Sequence, residues 1–411
     1  MSSLDLLRNN AATHFGSALF KMSVFNFLKR ISDGQLLIVD GSDERKFGSK
    51  GMRVSLIIHD KRAYSKLLLG GPIGAAEAYM LGYWSTDNLT GLIRIFLRNR
   101  KELEDFNTKA SMIKRPLHSL FHRMHRDTLS QSKENISAHY DLGNDFFQLF
   151  LDPSLTYSSG YFCDFRDTME EASFQKVDRI CRKLELKPED EVLEIGTGWG
   201  SFALHAATHY GCKITTTTIS DEQYEHVVKA VRDRSLEQQV TVLKKDYRSI
   251  KGQYGKIVSI EMIEAVGLEY MPTFFRACSQ LLKPGGSMLI QAITISEDRF
   301  ESAKNSVDFI QRYIFPGGAL PSVELLMGES QQANLRPFGV EDMTQHYAET
   351  MLRWRLKFEE NLNEIKDLGR GDTFLRMWDY YLCYCEGGFL ESAIGCVHMQ
   401  FQKTESGREL A

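Results

Sequence analysis

The sequence predicts an α/β protein: a doubly wound parallel sheet in the second half, preceded by a smaller α+β unit. Three observations predict it. From about Arg182, short β-branched apolar runs alternate with helical stretches, the pattern of strand–helix–strand winding. The first of those runs passes straight into the glycine turn Gly196-Thr197-Gly198-Trp199-Gly200 and then a helical segment. Residues 35–60 read as β-structure closed by turn chemistry.

In chain order, Met1 to Arg30 spaces its apolar residues at helical intervals but is broken by Arg8, Lys21 and Lys29, so it reads as an amphipathic helix without the continuous apolar run of a signal peptide. Leu36–Val39 and Val54–Ile58 are strands flanking the turn Asp40-Gly41-Ser42-Asp43. A glycine-punctuated run, Leu67 to Gly74, leads into a helix expected over Ala75–Leu81. Lys109, Lys114, Arg115, Arg123, Arg126 and Lys133 interleave with Leu117, Leu120, Phe121 and Met124, with Asp127 the only acid among them. This basic segment either lies on anionic lipid headgroups, each cation contributing roughly 1 kcal/mol, or is a solvated linker punctuated by Pro116. The expected domains are therefore 1–108, a basic linker 109–134, and 135–411. The sheet strands are Glu191–Ile195, Lys213–Thr218, Val240–Leu243, Lys256–Glu261 and Ser287–Ile293.

Composition narrows the function. With 43% hydrophobic and 25% charged residues over 411 positions, the chain is globular, and a formal charge of -4 argues against a nucleic-acid binder. Seven scattered cysteines without CxxC spacing suggest neither zinc site nor disulfide frame and fit a reducing cytoplasm. No run approaches the roughly 20 apolar residues of a membrane span, so membrane contact is expected to be peripheral, at the inner face.

Glycines in the 196–200 turn meet two needs: unusual backbone angles and close approach of a ligand to the backbone. A dinucleotide site favours GxGxxG and an acid ending the second strand. Here the pattern is Glu194-x-Gly-x-Gly-x-Gly, and the second strand ends in Thr218. Asp246, after the third strand, can accept a hydrogen bond from an adenine amino group. S-adenosylmethionine fits better than NAD. Ser220 with Gln223 three residues on reads as a capping box, so Gln223 is either a cap or a cofactor contact at the sheet's carboxyl edge.

Several segments carry a resemblance: Ala138-His139-Tyr140-Asp141-Leu142-Gly143-Asn144-Asp145, Leu151-Asp152-Pro153, Thr156-Tyr157-Ser158 and Tyr313-Ile314-Phe315-Pro316-Gly317-Gly318. They resemble cyclopropane-fatty-acyl-phospholipid synthases, and the catalytic half is similar to mycolic-acid cyclopropane synthases. More weakly, Ala76 to Met80 and Gly82-Tyr83-Trp84 resemble that family's lipid-handling domain. The resemblance implies a Rossmann-like class I methyltransferase that moves a methyl from S-adenosylmethionine to the cis double bond of an unsaturated phospholipid acyl chain. The intermediate cation needs aromatic faces and a dry site; Tyr157, Tyr161, Phe162, Tyr313 and Phe315 are suitable.

By the same resemblance, Tyr157, Ser158, Val192, Glu194, Gly196, Thr197, Gly198, Trp199, Gly200, Thr218, Ile219, Gln223, Asp246 and Tyr247 hold S-adenosylmethionine. Glu264 orients a bicarbonate that serves as base, Tyr347 assists, and Ile293 supplies a backbone contact. Glu261, ending a strand, is expected to face solvent. Ser159 and Gln291 stand where the family usually has Cys and His; both can still hydrogen-bond an anion. Were the anion lost, the cation could resolve to a methyl- or methylene-branched chain or a furan precursor instead of a ring. Cys385 aligns with a cysteine proposed as reactive, although an apolar-flanked Cys is more often a small buried hydrophobe. No metal is expected. Plant alkaloid N-methyltransferases resemble the catalytic half too, and a catalytically dead lipid-binding protein is the non-enzymatic alternative. The N-terminal unit, with an apolar surface of its own, could serve a homodimer.

Overall fold

The computed structural model describes residues 17–103 and 143–404. The basic segment 109–134, motif residues 138–142 and the start of the expected N-terminal helix lie outside them. Two compact units form. One gathers 17–103 with Asn305–Ile314 and Trp354–Ala393; the other gathers 143–304, Phe315–Arg353 and 394–404. This is not the linear division expected from the sequence. The helix Asp372–Leu390 packs on Arg62–Met80 and Leu89–Arg98 of the first unit. Gly387 permits this: a Cβ there would stand 2.9 Å from Ile93. Thr90 and Arg355 then donate to Glu386, and Arg94 to Glu391.

The first unit's sheet has the order β2-β1-β3-β4, from β1 (Gly34–Asp40), β2 (Asp43–Lys50), β3 (Arg53–Ile58) and β4 (Trp84–Thr86). The N-terminal helix runs over Ser17–Leu28. The expected helix at 75–81 begins earlier, at Arg62, and takes in the glycine-punctuated run; it breaks at Gly71 (φ 60°), where Pro72 has no N–H to continue the ladder. No helix among the described residues is long and apolar enough to cross a membrane.

The second unit carries a seven-stranded sheet ordered β10-β11-β9-β8-β5-β6-β7. β5 (Glu191–Ile195), β6 (Lys213–Thr218), β7 (Val240–Lys244), β8 (Tyr254–Ile260) and β9 (Leu282–Ile295) are parallel, and β11 (Ile394–Lys403) pairs antiparallel with β9 and with β10 (Leu335–Asp342). β5 is buried from Val192 to Ile195, as a central strand covered on both faces requires, with Glu194 the one polar side chain in that run. It also pairs with β6 on one side and β8 on the other, so the order of winding reverses there. Ligands of open α/β sheets sit outside the carboxyl ends of the strands at this reversal. The loops after β5 and β8 are therefore where chemistry is expected.

Candidate active site

After β5 the chain turns through Gly196, Gly198 and Gly200 at φ 93°, 52° and 90°. Such angles are costly for a side chain with a Cβ, and at Gly196 that Cβ would also meet Met262 at 3.2 Å. At Gly198 nothing lies within 4 Å, so the backbone faces open space that a ligand can enter. The turn is held by Gly196 and Thr197 N–H donating to Thr217 O, and by Trp199 Nε1 donating to Asn144 Oδ1 at 2.8 Å. Thr197 Oγ1 is buried without a hydrogen-bond partner. An unpaired buried hydroxyl beside an open glycine turn suits a polar ligand.

The Gln223 backbone N–H donates to Ser220 Oγ, capping the helix Asp221–Asp233, while its side-chain Oε1 accepts from Thr218 at 2.8 Å. The side chain does not close the capping box; it turns to the strand end, with its amide N–H groups left to donate. Asp246 accepts from Arg248 through backbone and guanidinium, and a carboxylate retains further acceptor capacity. Tyr247 is buried against Phe274. Glu194 is buried within the sheet, accepting from Thr216 at 2.5 Å; burial pushes its carboxyl up to about 8.

The loop after β8 carries the acids. Glu261 does not face solvent. Ser159 N–H donates to its Oε1 at 2.9 Å, Gln291 Nε2 to the same oxygen at 2.5 Å, and Tyr347 Oη to its Oε2 at 2.7 Å. Its backbone is left-handed, φ 48°, a conformation that costs a residue bearing a Cβ about 1–2 kcal/mol. Glu264 accepts from Ile293 N–H at 2.5 Å through Oε1, while its buried Oε2 has no partner. Burial, and then the charge of Glu261, push the Glu264 carboxyl up to about 8. Burial also raises Glu261, against the opposing hydrogen bonds from Tyr347 and Ser159 and the positive charge of Lys176. Both carboxyls are raised by burial, but Glu261 accepts from three donors and Glu264 from one, so the charged form is the better supported of the two at Glu261.

Lys176, unremarked in the sequence, is buried on the helix Met169–Lys183 and donates to Ser158 Oγ at 2.8 Å. Burial lowers its ammonium to about 8, with Glu261 and Asp152 as the main opposing charges. The aromatic set divides. Tyr157 faces Phe315 at 6.4 Å and Phe147 at 5.2 Å, and the loop bearing Phe315 is tied down by Ala319 N–H donating to Glu264 O. Phe162 instead stacks on His346, and Tyr161 lies tilted against the same ring. Tyr313 belongs to the first unit, where it donates to Glu77.

Residues 127–399 match the family described as mycolic acid cyclopropane synthetase. The chain belongs to that family. It is 36% identical over 345 residues to the tuberculostearic acid methyltransferase of Mycobacterium tuberculosis, covering 82% of this chain and 80% of the relative. It is 34% identical over 357 residues to the cyclopropane-fatty-acyl-phospholipid synthase of Escherichia coli K12, covering 85% and 88%. A crystal structure of a mycolic acid cyclopropane synthase complexed with SAH and CTAB superposes with a TM-score of 0.62 at 30% identity, covering 66% of this chain and 98% of the other.

As a mycolic acid cyclopropane synthetase family member the protein is an S-adenosylmethionine-dependent methyltransferase of the lipid-modifying type. The open glycine turn and unpaired Thr197 Oγ1 fit that cofactor. Bicarbonate is another matter. Of the groups expected to hold it, Ser159, Gln291 and Tyr347 already hold the Glu261 carboxylate, the Ile293 N–H is taken by Glu264, and the Ser159 hydroxyl is spent on Gly160 O. A second anion there would have to displace the Glu261 carboxylate from these donors, so the residues as they stand do not fit it. Cys385 lies on the helix Asp372–Leu390 of the first unit, with its thiol pushed far up by burial, the opposite of a reactive thiolate.

Proposed function

We propose that the protein transfers the methyl group of S-adenosylmethionine to the cis double bond of an unsaturated phospholipid acyl chain, and that Glu261 accepts the proton that leaves. The observation that carries this reading is the Glu261 carboxylate, strained in backbone and seated on Ser159, Gln291 and Tyr347. S-adenosylmethionine supplies an electrophilic methyl on a cationic sulfur. The alkene π pair forms the new carbon–carbon bond as the sulfur–methyl bond breaks, leaving a cation on the neighbouring chain carbon. Tyr157 and Phe315 offer ring faces to that cation. Glu261 then takes a proton from the transferred methyl, and the freed C–H pair closes a cyclopropane. Glu264, kept protonated by burial and by Glu261, does not compete for that proton.

A branched product is the second reading. It is favoured by the same seat being filled by a side chain, and by similarity to a protein named as a tuberculostearic acid methyltransferase rather than a cyclopropane synthase. A 1,2-hydride shift before proton loss to Glu261 would give an exocyclic methylene from the same residues.

Incubation with vesicles of a monounsaturated phospholipid and methyl-labelled cofactor, followed by proton NMR and mass spectrometry of the released fatty acids, tests this. Upfield ring protons with loss of vinyl signals support ring closure; exocyclic vinyl protons support the branched reading. Label confined to headgroups, or none in lipid, would sink both.

A further inference from the structure

Three strands place Glu341, His398 and Gln291 in one row. Glu341 on β10 is the register partner of His398 on β11, and His398 is the partner of Gln291 on β9. Directly paired residues lie about 4.5–5.5 Å apart at Cβ on one face, so their side chains meet. His398 and Gln291 are 0% exposed.

Donor chemistry then fixes each group in turn. Lys183 Nζ lies 2.5 Å from Glu341 Oε2 and 3.1 Å from His398 Nδ1. An ammonium only donates, so Nδ1 accepts and the neutral ring carries its proton on Nε2. That Nε2–H donates to Gln291 Oε1 at 2.8 Å. The Gln291 amide must therefore turn its NH2 the other way, toward Glu261 Oε1 at 2.5 Å. Burial and the neighbouring Lys183 charge hold the imidazole well below its ordinary value, consistent with a neutral ring.

We propose that His398 is a positioning residue that locks the Gln291 amide with its NH2 toward Glu261, and that the Lys183–Glu341 pair fixes the His398 tautomer. The proposal rests on Glu261 as proton acceptor. Without the His398 donor, the amide can turn over and set an oxygen against the carboxylate. The Glu261 proton affinity then rises and the base is ionised only at higher pH.

The test is the pH profile of kcat for the full chain, with monounsaturated phospholipid vesicles, in His398→Leu, His398→Gln, Lys183→Met and Glu261→Gln. The other titratable groups around Glu261 stay constant in the first three: Lys176 from the helix Met169–Lys183, Tyr347 from Thr344–Glu360, Glu264 beyond β8 and Cys396 on β11. Around His398, Arg179 and Lys176 also stay, and Glu341 stays with them. His398→Leu should lose about tenfold in kcat at pH 7, move the rising limb upward, and leave KM for the cofactor unchanged, since the Gln291 amide is no longer held with its NH2 toward Glu261. His398→Gln, able to donate to Gln291 and accept from Lys183, should recover most of the rate. Should His398→Leu fail to fold, Lys183→Met, altered nearer the surface, should show a smaller displacement of the same sign. A uniform loss at every pH, or a profile superimposed on the parent's, overturns the positioning role. If Glu261→Gln stays active, the reading beneath it fails instead.

Discussion

Replacing Glu261 with glycine separates the strain at this position from its chemistry. At φ 48° the backbone is left-handed, and glycine relieves about 1–2 kcal/mol there. Against that gain, Ser159 N–H, the Gln291 amide and the Tyr347 hydroxyl lose their shared acceptor, at about 1–3 kcal/mol each where they stay buried. The variant should therefore be a few kcal/mol less stable in anion-free buffer. Its emptied seat would then present three donors to a small anion. Bicarbonate at a hundredfold its dissociation constant should return about 2.7 kcal/mol. In activity, loss of a general base costs 10²- to 10⁴-fold. Glu261→Gly should fall by at least 100-fold in carbonate-free buffer and regain part of that as bicarbonate is added. Glu261→Gln, its seat still filled, should fall as far and not respond. Thermal melts and label transfer to lipid, each with and without bicarbonate, read both quantities. A Glu261→Gly variant as active as the parent without carbonate would refute the reasoning.

Three further outcomes are expected. Gly198→Val puts a side chain into the open space of the turn at φ 52°; it should cost about 1–2 kcal/mol of stability and weaken S-adenosylmethionine binding at least tenfold by calorimetry. Glu194 holds in the folded state, up to about 8, a proton that the unfolded chain gives up near 4.5, so stability falls as pH rises across that window. Glu194→Gln should thus gain in melting temperature over the parent progressively from pH 5 to 8, and a constant difference would count against a buried, protonated Glu194. Cys385→Ala should keep the parent's kcat while losing some stability to the cavity, and a loss of turnover in well-folded protein would restore the thiol to the chemistry.

The sheet was legible because its parallel strands are short, β-branched and buried on both faces, and the glycine turn marked where β5 ends. β10 escaped notice because it is an edge strand with alternating exposure and a proline at 337, and β11 because it returns only after the helices of the first unit. The fold of Trp354–Ala393 with the N-terminal residues depends on contacts such as Gly387 on Ile93, which local pattern does not encode. In the site, the glycines stood out by their motif, and Glu264 and Tyr347 only through the family resemblance. Glu261 did not, since a carboxylate ending a strand looks the same whether it points outward or in. Only the left-handed turn at that residue and the three donors beside it decide the direction. His398 and Lys176 carry no local signal, because their partners come from strands and loops far away in sequence.

The most direct measurement of the central claim is turnover of the parent protein on monounsaturated phospholipid vesicles in rigorously carbonate-free buffer, counting labelled methyl in the released fatty acids. With Glu261 as the base, the rate should equal that in bicarbonate-containing buffer. A rate that collapses on carbonate removal and returns with it would contradict the account.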